Sequence, residues 1–220
     1  MVAAADIQMK EHAVDSDYLF GIVYAVYPEA RKAVLMATAT QDVDGNPLDW
    51  DDYTVDDKDG AGELNACAAA MLSDVQYSRH LDGSDPYAEA GVALFVLDTS
   101  ECDPFCPQIG KVKVPAGDWV KVVLSWLVDV DCSWTDGGYD CISGVPQDFN
   151  LAMICSGGVV QLSMSSASAY EYIEWKNETE TDKECDIMIW WYGSEDGVYP
   201  AGLAFVTSSQ VQEWGCGVYD

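Results

Sequence analysis

Basic residues are scarce in this chain: 10 lysines and arginines stand against 38 aspartates and glutamates, a formal net charge of -28. A field of that sign repels phosphate backbones and anionic bilayers, so nucleic acid and membrane surfaces are excluded as partners, while cationic ligands and metal ions are favoured. A solvated surface facing a secreted or saline environment has the same composition. Histidine is nearly absent, with His12 and His80 alone, and no C-x-x-C pair occurs. Zinc sites of the usual ligand spacing are thereby excluded. No apolar run approaches the roughly 18 residues that a membrane-spanning helix needs. The opening Met1-Val2-Ala3-Ala4-Ala5-Asp6 lacks the basic stretch of a secretory leader. Ser125, Ser156 and Ser163 stand in no G-x-S-x-G elbow, and no internal repeat is present.

What the chain does have is apolar bulk and cysteine. Its 220 residues, 49% hydrophobic and 11% aromatic, suffice for one large domain or two small ones with a packed core. The eight cysteines, at 67, 102, 106, 132, 141, 155, 185 and 216, are even in number and concentrated in the second half. That usage points to an oxidising compartment. Cys102 and Cys106 are spaced to close a small loop, Cys132 and Cys141 to close the Gly-rich loop between them, and Cys155 and Cys185 to bridge two strands. Full connectivity does not follow from sequence. Cys67, in an Ala-rich helical run, reads as a free core thiol. Oxidising chemistry without a leader is reconciled if the chain is the C-terminal part of a longer secreted protein.

The hydrophobic period changes along the chain. Residues 2 to about 27 read as two helical pieces, with Val2, Ala5, Met9 and Ala13 on one face. Pro28 suits the first turn of the next helix, and Glu29 near its start followed by Arg31 and Lys32 suits the macrodipole. Residues 41–60 are dense in Asp, Gly, Asn and Pro and read as loop, and residues 63–72 return to helix. After about Ser73 the pattern becomes short strands, at 93–97, 119–126, 149–154, 159–162, 170–175, 185–191 and 201–206, bounded by Gly, Pro, Asp or Ser. Such strands without intervening helices predict an antiparallel sandwich or jelly roll.

Two strings in the first part carry a family likeness. Tyr27-Pro28-Glu29-Ala30-Arg31-Lys32-Ala33-Val34-Leu35-Met36-Ala37-Thr38-Ala39, followed by Asp59-Gly60-Ala61-Gly62-Glu63-Leu64-Asn65-Ala66, resembles the end of a subtilisin-like serine protease domain. In that family the first string forms a helix and the second opens another. Further on, Lys121 to Trp126, Asp148-Phe149-Asn150-Leu151, Ser165 to Ser168, Tyr170 to Glu174 and Ala201 to Val206 follow in the order found in the small β-sandwich behind many such protease domains. The sequence departs from the family at Phe149-Asn150, where Leu-Asp is usual, which puts in doubt any cation site built there in relatives. The resemblance implies an α+β chain: residues 1–74 as the helical remnant of an α/β protease domain, and residues 75–220 as a C-terminal β-sandwich module. It implies a parent that hydrolyses peptide bonds through an acyl-enzyme, secreted to the cell exterior. Its catalytic serine precedes a helix like residues 2–9, and its Asp and His lie further upstream, so this chain alone is expected to be inactive. The partners implied are the parent's N-terminal protease domain and its protein or peptide substrate. The helices, parted from the parallel sheet they would cover, are expected to leave an apolar face open.

No cofactor is required. The candidate ion is calcium, at Asp42-Val43-Asp44-Gly45-Asn46, where Asp42, Asp44 and Asn46 place oxygens at alternate positions around a glycine turn, without the remainder of an EF-hand; a solvated acidic turn has the same look. With so many acids, paired carboxylates of the glycosidase kind arise by chance. Tyr172, Trp175, Trp190, Trp191 and Tyr192 suit either a platform for sugar rings or a sandwich core, and adjacent Trp190 and Trp191 must face opposite sides of a strand. The alternative function is therefore a free-standing acidic jelly-roll module that binds glycan or protein through Trp190 or Trp191. Asn177-Glu178-Thr179 is a glycosylation acceptor pattern.

Overall fold

Alternation of side chains along short β-branched and aromatic runs builds most of this molecule. The computed structural model describes residues 28–39, 64–75, 84, 86–102, 106, 108–126, 130–135, 138–143, 148–164, 169–192 and 197–216. Ten strands run β1 (Ala90–Asp98), β2 (Gly110–Val114), β3 (Trp119–Trp126), β4 (Val130–Thr135), β5 (Gly138–Ser143), β6 (Phe149–Cys155), β7 (Val159–Ser163), β8 (Tyr170–Lys176), β9 (Lys183–Trp191) and β10 (Val198–Thr207). Among the described residues the α-helices are α1 (Pro28–Ala37), α2 (Ala66–Ser73) and α3 (Ser208–Glu213).

Eight of the strands form two four-stranded antiparallel sheets, the first in the order β1-β10-β3-β8 and the second β2-β9-β6-β7. The remaining β4 and β5 pair as a hairpin between β3 and β6, in a stretch whose glycines had suggested loop. Apart from that hairpin the chain crosses between the sheets at nearly every step, and the resulting strand order is that of a jelly-roll β-sandwich. Between the sheets lie the inward-facing residues, among them Val122, Leu124, Phe149, Met153, Ile187 and Leu203, all buried. Phe149 meets Trp126 and Tyr199 edge to face, at centroid distances of 5.2 and 5.5 Å, a geometry that adds to the burial energy of the rings. Fully burying a side chain such as Phe149 contributes about 1.5–3 kcal/mol.

A second core lies outside the sandwich. Ala30, Ala33, Val34 and Ala37 of α1, with Ala68, Ala69 and Leu72 of α2, pack on Val92, Val123 and Ala204 of the first sheet. The apolar face of these helices, expected to stand open, is covered by this chain's own first sheet. The contact is close because β10 presents a glycine there: a Cβ on Gly202 would lie 2.7 Å from Ala30 Cα and 2.8 Å from Ala30 N. Asn65 caps α2 by accepting from Ala68 N at 2.9 Å, and its Nδ2 donates to the Cys216 carbonyl at 2.8 Å.

Three disulfides close the described residues. Cys102–Cys106 and Cys155–Cys185 pair as their spacing suggested, the latter between directly opposed residues of β6 and β9. Cys132 and Cys141 oppose each other in the backbone register of the β4–β5 hairpin. Cys67 is not a free core thiol: it is exposed on α2 and bonded to Cys216, 149 residues away in sequence. The Ala-rich run does bury its neighbours, but Cys67 lies on the other side of the first turn, where the C-terminal segment passes. In the chain-entropy account a loop of that length adds about 4–5 kcal/mol.

The Gly202 contact makes a prediction whose sign separates two effects. Strand propensity and unfolded-state entropy alone favour alanine over glycine by up to about 1 kcal/mol. Overpacking against the α1 backbone outweighs this, so Gly202→Ala is expected to destabilise by about 1–3 kcal/mol. Urea unfolding measures the loss, and hydrogen exchange should locate its largest effect in residues 28–39.

Candidate functional site

Alternation along β9 divides the aromatic residues that had been grouped as one platform. Ile187, Ile189 and Trp191 face inward, and Trp191 lies half-buried against the sandwich core, opposite Phe149 in the β6–β9 register. Trp190 faces the outer side of the second sheet, opposite Asn150 and half-buried, with the 73%-exposed Tyr192 two residues further on the same side. Trp175 packs against the interior, and Tyr172 faces the helices on the first sheet. The five aromatics therefore share no surface. What remains for ligand contact is Trp190 with Tyr192, beside Met188.

The strongest electrostatic feature was not foreseen. Lys121 of β3 and Glu174 of β8 are direct partners in the register and face the helix layer, with Lys121 Nζ 3.2 Å from Glu174 Oε1. Lys121 is 2% exposed and also donates to the Ala39 carbonyl just beyond α1. Tyr172 OH donates to the other oxygen, Glu174 Oε2, at 2.6 Å. Burial pulls the Lys121 pKa below its ordinary 10.5, against the attraction of Glu174. Burial pushes that of Glu174 above 4.5, against the pull of Lys121 and the hydrogen bond from Tyr172. The helix layer is thus tied to the sheet by a desolvated ion pair. The sequence signal that could have found it is a lone lysine inside the apolar strand Trp119–Trp126, facing a Glu-bearing strand.

A second buried polar centre is Asn177, fully buried in the turn after β8. Its Nδ2 lies 2.9–3.1 Å from the carbonyl oxygens of Val114, Pro115 and Thr181, and its Oδ1 accepts from Thr179 N and Oγ1 at 3.2 and 2.7 Å. The residue read as a glycan acceptor is a structural knot whose amide is already committed. A third polar contact joins the sheets where their edges meet: Ser163 of β7 donates to the buried Glu171 of β8 and accepts from Tyr172 N at 3.1 Å.

For catalysis and metal binding the other candidates divide by position. His12, His80 and the proposed calcium ligands Asp42, Asp44 and Asn46 lie outside the described residues. Among the described residues no group of three or more His, Cys, Asp and Glu side chains is placed to hold a metal ion, and no helix is long and apolar enough to cross a membrane. The serines serve the fold. Ser125 Oγ points at the Ala169 carbonyl at 3.4 Å, Ser156 sits in the β6–β7 turn, and Ser163 is the sheet-joining residue above. No family model matches the chain, and no curated protein matches it.

Two outcomes are expected. Lys121's depressed pKa contributes stability that is present above 10.5 and lost as pH falls through the folded value. Glu174's raised pKa contributes stability that is present below 4.5 and lost as pH rises through the folded value. Because burial opposes the charged form of each group, Lys121→Met with Glu174→Leu should be neutral or stabilising, by up to about 4 kcal/mol, whereas either change alone should cost about 3–5 kcal/mol. A double-mutant cycle in urea measures this. Separately, folded protein from a glycosylating secretory host should carry no glycan at Asn177 by intact mass, and Asn177→Ala should destabilise by about 2 kcal/mol or more through the carbonyls it strands.

Proposed function

We propose that this chain is the C-terminal portion of a secreted subtilisin-like serine endopeptidase, carrying none of the catalytic triad and supporting the catalytic domain or its access to substrate. The observation that carries the reading is the order of the family-like strings along the chain. The string at 27–39 contains α1, Asn65 of the next string caps α2, and the later strings at 121–126, 170–174 and 201–206 lie on β3, β8 and β10 of one sheet. Strings that are weak singly therefore fall, in the family's order, on two helices and on three strands of one sheet. The parent reaction is attack of a serine on the peptide carbonyl, with an imidazole as base and a carboxylate orienting it. The chain's own contribution is rigidity: a jelly roll stapled by disulfides and clamped to the last helices of the protease domain. Calcium at Asp42, Asp44 and Asn46 belongs to the same proposal.

A second reading has its own support. The apolar faces of α1 and α2 are already covered by this chain's first sheet, and Trp190 with Tyr192 faces outward. A free-standing acidic module that binds glycan needs no more than that.

The gene upstream of Met1 discriminates between them. An in-frame Gly-Thr-Ser segment, with Asp and His segments further upstream, is the expected finding; a stop codon directly upstream would sink the protease reading. The isolated chain should leave a fluorogenic peptide intact and take up no fluorophosphonate label. Retention on polysaccharide that Trp190→Ala abolishes and Trp191→Phe preserves would give the lead to the binding module.

A further inference from the structure

A buried amine facing a buried carboxyl is a pair of reactants as well as an ion pair. The Lys121 side chain is 2% exposed and that of Glu174 13%, with Nζ 3.2 Å from Oε1. Neither can drift far, because the two residues oppose each other directly on the neighbouring antiparallel strands β3 and β8. On its other side Lys121 opposes Val206 of β10, and Val206 and Val123 belong to the apolar core shared with α1 and α2. The Ala39 carbonyl, just beyond α1, accepts from Nζ. The Glu174 carboxyl is held at its far oxygen, Oε2, by the Tyr172 hydroxyl at 2.6 Å. Among the described residues no group other than Lys121 approaches Oε1 as a donor.

From this arrangement we propose that Lys121 and Glu174 condense into a side-chain amide, a covalent cross-link between β3 and β8 formed with loss of one water. Desolvation prepares the step: burial lowers the pKa of Lys121 and raises that of Glu174, which favours a neutral amine beside a neutral acid. One proton of the ammonium passes to Oε1. The lone pair left on Nζ forms a bond to Cδ, and charge gathers on Oε2, where the Tyr172 hydroxyl stands as a donor. The Cδ–Oε1 bond then breaks, and Oε1 takes a second proton from Nζ and leaves as water. Oε2 remains as the amide carbonyl oxygen. The balance needs no oxidant, reductant or further reactant.

Water ordinarily reverses such a condensation. Here the two groups are held in one register, and well-oriented neighbours react as if at about 10⁵–10⁸ M, far above the concentration of liquid water. The apolar walls and the covering helix also keep water from the product. The ion pair is the reactant, held by freshly folded chains, and the double-mutant cycle in urea applies to them. Once formed, the amide joins strands that the chain separates by β4 to β7, and unlike the disulfides it withstands reduction. The inference does not depend on the protease reading or on glycan binding.

Intact-mass spectrometry of the whole oxidised chain, followed over several days in neutral buffer, should show a species lighter by one water accumulating with time. Reduction of the disulfides should not reverse it. After reduction, alkylation and chymotryptic digestion, a peptide containing Lys121 should remain joined to one containing Glu174, as tandem mass spectrometry reads directly. Tyr172→Phe, which keeps the ring and removes the hydroxyl, should slow accumulation by about a hundredfold with unchanged far-UV circular dichroism. Lys121→Arg, which keeps the charge and brings no amine nucleophile, should stay at full mass. A folded wild-type chain that keeps its full mass throughout would overturn the proposal. So would a lost water that maps to other residues or persists in Lys121→Arg, and accumulation at the wild-type rate in Tyr172→Phe would overturn the part given to that hydroxyl.

Discussion

The approach of α1 to β10 at Gly202 is the constraint on which the outer layer of this protein depends. Because no side chain stands at that position, the helix backbone rests directly on the sheet, within 3 Å of where a Cβ would be. The small residues Ala30, Ala33 and Ala37 allow the same closeness from the helix side, and Ala204 continues the small surface along β10. Seating the helix there shuts water away from Lys121 and brings the Ala39 carbonyl onto its ammonium. It also brings Lys32 over the Tyr170 ring, 4.0 Å from its centroid, where burial lowers the lysine's pKa. The ion pair and the cation–π contact are therefore consequences of a steric fit. Neither would hold the helix on a sheet that kept it a side chain's width further away.

Among the described residues, three carboxylates that are at least partly buried hold parts of the fold together. Glu171 takes the Ser163 hydroxyl where the two sheets meet. Glu174 neutralises Lys121 under the helix layer. Asp118 accepts from Ser209 N and Trp119 N, joining the start of α3 to the start of β3. The contacts of Glu174 and Asp118 join elements distant in sequence, and that of Glu171 joins consecutive strands. Residues 149–170, which include β6 and β7, carry no charged side chain.

Much of the architecture was legible. Strands rich in Val, Ile and aromatics between turn residues, such as β3, β9 and β10, stand where periodicity puts them, and Pro28 opens a helix. Strand β2, Gly-Lys-Val-Lys-Val, was missed because five residues with two lysines carry little apolar signal, and β4 and β5 were hidden by the glycines of their turn. That Trp190 and Trp191 face opposite sides follows from the pleat alone. Which of them faces the core does not, because it depends on the register against Phe149 and Asn150.

Local pattern by itself pointed to an antiparallel β-sandwich, to an oxidising compartment and to the pairings Cys102–Cys106 and Cys155–Cys185. Those properties rest on side-chain period and short-range spacing, which the chain carries before it folds. Tertiary structure alone decided that the helices lie on this chain's own sheet, that Cys67 reaches Cys216, that Lys121 meets Glu174 and that Asn177 is sealed inside a turn. Each of these joins residues whose separation along the chain says nothing of their separation in space, and the energy that selects them comes from packing and desolvation shared among several elements at once.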